Sequence, residues 1–139
     1  VLLQDKELKK IVDFVMKYST YTDRETIAEY IQQHWQYKTA FVVYDANNEI
    51  AAVCRWNVSP SGTVATVLDL IIREDWRNKN LMRQLLTKAL WTFPKLKYIS
   101  FERGYDNKQP CEKPLKTYSI ERFLRHRGLG KGEKGAIIK

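Results

Sequence analysis

The stretch Leu70-Ile71-Ile72-Arg73-Glu74-Asp75-Trp76-Arg77-Asn78-Lys79-Asn80-Leu81-Met82 holds the residues best suited to chemistry. An apolar run ends, a polar stretch follows, and an apolar helical pattern begins. The first N–H groups of a helix lack partners inside it and point back into the preceding loop. The helix dipole adds partial positive charge at the same end. Arg77 and Lys79 contribute two full charges. The segment from Arg77 to Met82 is therefore a site for a phosphate or pyrophosphate.

Just before it, Asp69 is the one carboxylate within the apolar run Val67-Leu68-Asp69-Leu70-Ile71-Ile72. Two readings follow. Desolvation acts against its charged form and suits it to proton transfer, or it pairs with Arg55, Arg73 or Arg103 and sets strand register. Cys54, in an apolar strand-like run, reads as a small core residue rather than a nucleophile. Cys111 lies in a polar loop beside Pro110. Two cysteines so placed give neither a zinc pattern nor a disulfide framework. His34 and His126 are too far apart in pattern to suggest a metal pair, and no metal is expected.

Several elements must position these residues. Leu8, Ile11, Val12 and Val15 recur at helical spacing and predict a helix over Asp5 to Tyr18. Thr22-Asp23-Arg24-Glu25 reads as a capping box before a second helix with Ile27, Tyr30, Ile31 and Trp35 on its buried side. The period then changes. Ala40 to Tyr44, Ile50 to Val58 and Thr63 to Arg73 read as strands separated by the turns Asp45 to Asn48 and Ser59 to Gly62. The third is apolar on both faces apart from Asp69, as suits a central strand covered on both sides. Asn80 to Trp91 reads as a helix stopped by Pro94, and Tyr98 to Glu102 as a short strand. Gly104 to Pro114 is a polar loop, Leu115 to Leu124 fits strand or helix, and Gly128 to Gly135 reads as a flexible tail. The first three strands form an antiparallel meander. The strand–helix–strand unit from Thr63 to Glu102 is a crossover, so its strands are expected to be parallel neighbours.

A length of 139 residues fits a single domain, 1–139, with one hydrophobic core and a basic, partly flexible segment over 104–139. A 44% hydrophobic and 12% aromatic content argues against disorder. No apolar run approaches the roughly 20 residues of a membrane span, and Val1-Leu2-Leu3 is too short for a signal peptide. A cytoplasmic protein with no membrane partner is the expectation. Of the net charge of +8, most lies after Phe101-Glu102: ten Lys/Arg stand against four Asp/Glu there, and fourteen against twelve before. That bias suits an acidic partner or a solvated basic face.

The order of elements and the Arg77 segment resemble the GCN5-related N-acetyltransferase (GNAT) superfamily. Its acetyl-CoA loop reads Arg/Gln-x-x-Gly-x-Gly/Ala. Arg77 matches, whereas Asn80 and Met82 stand where the family has small residues. Asn tolerates left-handed backbone best after glycine, while Met82 adds bulk. The resemblance implies an α/β (α+β) acyl-CoA N-acyltransferase-like fold, a central mixed sheet with helices on both faces. It implies acetyl-CoA as cofactor. The backbone of Leu70 and Ile72 would hold the pantetheine arm, and the amides of Arg77, Asn78, Lys79, Asn80, Leu81 and Met82 the pyrophosphate. The strand Tyr98 to Glu102 would splay away to leave a gap for the thioester. A substrate amine would attack directly, with Asp69 or Glu102 as candidate base and Tyr105 or Tyr118 as candidate acid. It also implies a first strand before the two helices, for which only Val1-Leu2-Leu3 is available.

Two other functions remain open on the sequence. Lys113, Lys116, Arg122, Arg125, Arg127, Lys131 and Lys134, interleaved with Tyr118, Phe123 and His126, suit nucleic-acid binding or a nucleic-acid acceptor. The missing motif glycines suit a non-catalytic protein that acts by binding on this fold. The acyl acceptor is not specified by the sequence.

Overall fold

The computed structural model describes residues 2–77, 81–101, 117–125 and 137–138. Helices α1 (Asp5–Tyr18) and α2 (Arg24–Gln36) come first. Strands β1 (Ala40–Tyr44), β2 (Ile50–Val58) and β3 (Val64–Ile72) follow. A 3-10 turn (Glu74–Trp76) leads to α3 (Leu81–Thr92), then β4 (Tyr98–Phe101), β5 (Thr117–Ser119), α4 (Ile120–Arg125) and β6 (Ile137–Ile138).

The strands form one six-stranded mixed sheet in the order β5-β4-β3-β2-β1-β6. The β1–β2 and β2–β3 pairs are antiparallel and β3–β4 is parallel, as the meander and the crossover predict. β3 is central. Helices cover both faces. Leu81, Leu85, Leu86 and Ala89 of α3 pack with Phe41, Cys54, Trp56, Val67 and Ile99. On the other face Ile11, Val12, Phe14 and Val15 of α1 and Ile27 and Ile31 of α2 pack with Val42 and Val53. Among the described residues no helix is long and apolar enough to cross a membrane.

Local chemistry explains where sequence and structure part. The N-cap of α2 is Asp23, not Thr22: its carboxylate accepts from the N–H groups of Glu25 (3.1 Å) and Thr26 (3.3 Å), the bonds an N-cap supplies. In α2 the buried residues are Ile27, Ile31 and His34. Tyr30 is 44% exposed, because its ring lies under the Arg55 guanidinium, 5.1 Å from the centroid, instead of in the core. Within the ambiguous 115–124 stretch, Thr117–Ser119 pair with β4 and Ile120 begins α4, while Leu115 and Lys116 lie outside the described residues. β6 pairs antiparallel with β1. Two residues carry no periodicity, so the sequence offered no sign of this strand. The glycine-rich 128–135 stretch lies outside the described residues.

Candidate active site at the end of the central strand

β3 stays paired with β2 from Val58↔Ala65 to Ala52↔Ile72. Its described pairing with β4 runs from Val64↔Tyr98 to Val67↔Phe101, and Phe101 is the last described residue of that segment. At that point Arg55 faces Asp69 while the next β2 residue, Trp56, faces Val67. Leu68 is therefore an extra residue in β3, a β-bulge, which bends a strand and shifts its side chains by one. The side chains show the shift. Ala65 and Val67 belong to the α3-side core, and beyond the bulge it is Leu70 and Ile72 that pack there. Ile71 packs on the α1/α2 side. From Leu68 onward the edge of β3 that faced β4 has no strand partner among the described residues. A cavity of about 420 Å³ lies here, lined by Leu70, Ile71, Ile72, Arg77 and, from the end of α1, Tyr18.

The loop after β3 begins with the single 3-10 turn. Its two hydrogen bonds run from Trp76 N–H to Arg73 C=O (2.9 Å) and from Arg77 N–H to Glu74 C=O (3.3 Å). Trp76 packs against the α3-side core, and Arg77 is exposed at the cavity. Leu81 is buried and Met82 partly buried against the same core. Met82 thus has packing partners below the loop. Asn78, Lys79 and Asn80 lie outside the described residues, as do Glu102 and Tyr105.

Asp69 lines a small cleft on the α1/α2 face with Tyr21, Tyr30 and Arg55. Arg55 donates from Nε (2.9 Å) and Nη2 (2.7 Å) to Oδ2, and the Tyr21 hydroxyl donates to Oδ1 (2.6 Å). Of the two sequence readings of Asp69, the arginine pair is present, with Arg55 rather than Arg73 or Arg103 as partner. Arg73 instead binds Asp45 and Asp75. Nearby, the His34 imidazole has its pKa lowered, first by burial and then by the Arg55 charge. Its Nδ1 lies 2.8 Å from Thr39 Oγ1.

Tyr21 was not singled out from the sequence. A lone tyrosine ahead of a helix cap carries no signal, and only the fold brings it to Asp69. Its phenol is pushed up from the ordinary value near 10 to about 12, first by burial, then by the hydrogen bond and charge of Asp69. A raised pKa means that the folded state holds the proton more tightly. The resulting stability is present below pH ~10 and is lost as pH rises toward the folded value. Tyrosinate absorbance of wild-type and Tyr21→Phe proteins checks this. The difference between the two titrations should be centred near pH ~12, and a midpoint at the ordinary value would contradict it.

Tyr118 does not join Asp69. It faces Ile99 across the β4–β5 pair and packs edge-on to Phe101, with centroids 6.1 Å apart. Ile99 and Phe101 belong to the α3 side, so the two sequence candidates occupy opposite faces of the sheet. Cys54 is fully buried and its thiol is pushed up to about 12 by desolvation, consistent with a core residue. Of the C-terminal cations, Arg122 and Arg125 are described and exposed, and Arg125 pairs with Glu121. Lys113, Lys116, Arg127, Lys131 and Lys134 lie outside the described residues. Among those described, no group of three or more His, Cys, Asp or Glu is placed to hold a metal.

The sequence pattern of the acetyltransferase (GNAT) family matches residues 8–112. No curated protein matches. Among solved structures, a GNAT-family acetyltransferase from Staphylococcus aureus Mu50 is similar over 73% of this chain and 70% of its own, with 11% identity and a TM-score of 0.55. Ard1 from Thermoplasma volcanium is similar over 90% and 77%, with 15% identity and a TM-score of 0.54. The loading GNATL domain of CurA from Lyngbya majuscula is similar over 82% and 69%, with 15% identity and a TM-score of 0.53. At these identities the likeness is one of fold.

Proposed function

The chain belongs to the acetyltransferase (GNAT) family, and we propose on that premise that it transfers the acetyl group of acetyl-CoA to an amine. One observation carries the reading. Among the described residues β3 continues past its last β4 pair, and a cavity there is lined by three consecutive β3 residues, Arg77 and Tyr18.

The residues present fit the cofactor. The edge of β3 at Leu70 and Ile72, which has no strand partner among the described residues, offers backbone groups to an amide-bearing arm such as pantetheine. The apolar side chains of Leu70 and Ile72 give that arm a dry wall. The Arg77 side chain supplies positive charge beside this edge, its own N–H being bonded to Glu74 C=O, and the amides of Asn78, Lys79, Asn80, Leu81 and Met82 are proposed to receive the pyrophosphate at the start of α3. Acetyl-CoA brings an activated thioester carbonyl. The chain's part is to hold the arm, exclude water and manage two protons. Asp69 and Glu102 are the carboxylates proposed to accept the amine's proton, and Tyr118, on the opposite face of the sheet from Asp69, is not assigned the proton of the departing thiolate. The Asp69 carboxylate already accepts from Tyr21, so a proton arriving there displaces or follows that hydrogen bond.

A thermal melt tests the reading. Acetyl-CoA at 100 times its Kd should add about 2.7 kcal/mol, a rise of roughly 8 °C for a chain of this size. An unchanged melt at millimolar acetyl-CoA would remove the basis for acetyl transfer.

A further inference from the structure

We propose that Arg73 is the positioning residue for Arg77, fixing through its guanidinium where Arg77 meets the pyrophosphate; this rests on the acetyl-CoA reading. The segment from Arg73 to Arg77 contains no glycine, so its path is not set by glycine's backbone freedom. A single 3-10 turn is a weak element by itself. What ties it down is Arg73. Nη1 donates to the Ile50 carbonyl (3.1 Å) and Nη2 to Asp45 Oδ2 (3.0 Å). Nε and Nη2 close a two-point bridge on Asp75, at 2.6 and 3.0 Å. The Arg73 N–H donates to Ala51 C=O (2.8 Å).

Each end of this clamp is itself anchored. Asp45 Oδ1 accepts from Asn47 N–H and Glu49 N–H, both at 2.9 Å, so its carboxylate is locked into the β1–β2 turn. Asp75 sits within the 3-10 turn, two residues before Arg77. One planar fork therefore joins a rigid hairpin turn to the element that delivers Arg77, a geometry lysine does not reproduce.

The test compares two thioesters. Acetyl-CoA carries the pyrophosphate, whereas S-acetyl-pantetheine has the same arm and thioester without it. Arg73→Gln should raise the Kd for acetyl-CoA about tenfold or more and leave that for S-acetyl-pantetheine within about twofold. Arg73→Lys should fall between. Asp75→Asn keeps the Asp45 anchor and the fold, and should show a smaller loss with the same selectivity. Equal losses for both thioesters, or none in Arg73→Gln and Asp75→Asn alike, would overturn the assignment. Wild-type protein that binds neither thioester would instead overturn the acetyl-CoA reading beneath it.

Discussion

Replacing Arg77 with alanine is expected to weaken acetyl-CoA binding by about 10- to 100-fold and to leave the melting temperature nearly unchanged. The two halves of this expectation have separate physical causes. A hydrogen bond to a charged partner contributes about 1.5–3 kcal/mol, and about 1.4 kcal/mol is a factor of ten in affinity. Arg77 is exposed and follows the 3-10 turn, so its side chain adds little to the fold. Surface substitutions of that kind usually stay within about 0.5 kcal/mol. Arg77→Lys keeps the charge but loses the planar fork, and should lie between alanine and wild type. Because the site is open to solvent, wild-type affinity should also fall with added salt. Calorimetric titration of the three proteins decides it. An Arg77→Ala protein that binds acetyl-CoA as tightly as wild type would take the phosphate away from this loop.

The frame of this site was readable from the sequence because it depends on local pattern. The apolar run through Ile71 and Ile72, interrupted by Asp69 alone, suits a strand covered on both faces. The polar break at Glu74 and Asp75, followed by the periodic leucines of α3, placed a loop between strand and helix. What could not be read depends on register. One extra residue, Leu68, reverses which side chains of β3 face α3. No periodicity in the sequence marks a bulge of one residue. Asp69 therefore meets Tyr21 and Arg55 on the α1/α2 face, opposite the face of Tyr118. The same holds for Tyr18, which meets Leu70 to Ile72 only at the cavity, and for the contacts of Arg73 with Asp45 and Ile50. Arg55 offered a partial signal, since a charge between Cys54 and Trp56 in a strand otherwise headed for the core needs a partner, and the facing strand holds one carboxylate. The β6 edge illustrates the lower limit: two isoleucines define a strand only once β1 is beside them.

Arg55 and Asp69 make the second large expectation. Their side chains retain 15% and 18% of their exposure, and they face each other across β2 and β3. Removing one member of a covered ion pair leaves the other without compensation, at a cost of about 3–5 kcal/mol when fully buried. Residual solvent access lowers this, so Arg55→Met should destabilise by about 2–3 kcal/mol, a fall of roughly 8 °C in melting temperature. Replacing both with apolar residues removes the stranded charge, and such exchanges are often neutral or better. The Arg55→Met/Asp69→Leu protein should therefore melt above Arg55→Met alone, with Tyr21, 39% exposed, turning its hydroxyl to water. An Arg55→Met protein that melts with wild type would show that the pair contributes nothing to the fold. The same double variant separates the two roles of Asp69. A drop in turnover of about 10²- to 10⁴-fold at unchanged acetyl-CoA affinity would assign the carboxylate to proton transfer. Turnover near the wild-type rate would assign it to the sheet, where its work is to hold β2, β3 and the Tyr21 loop in register around the cavity, and would leave Glu102 as the proposed base.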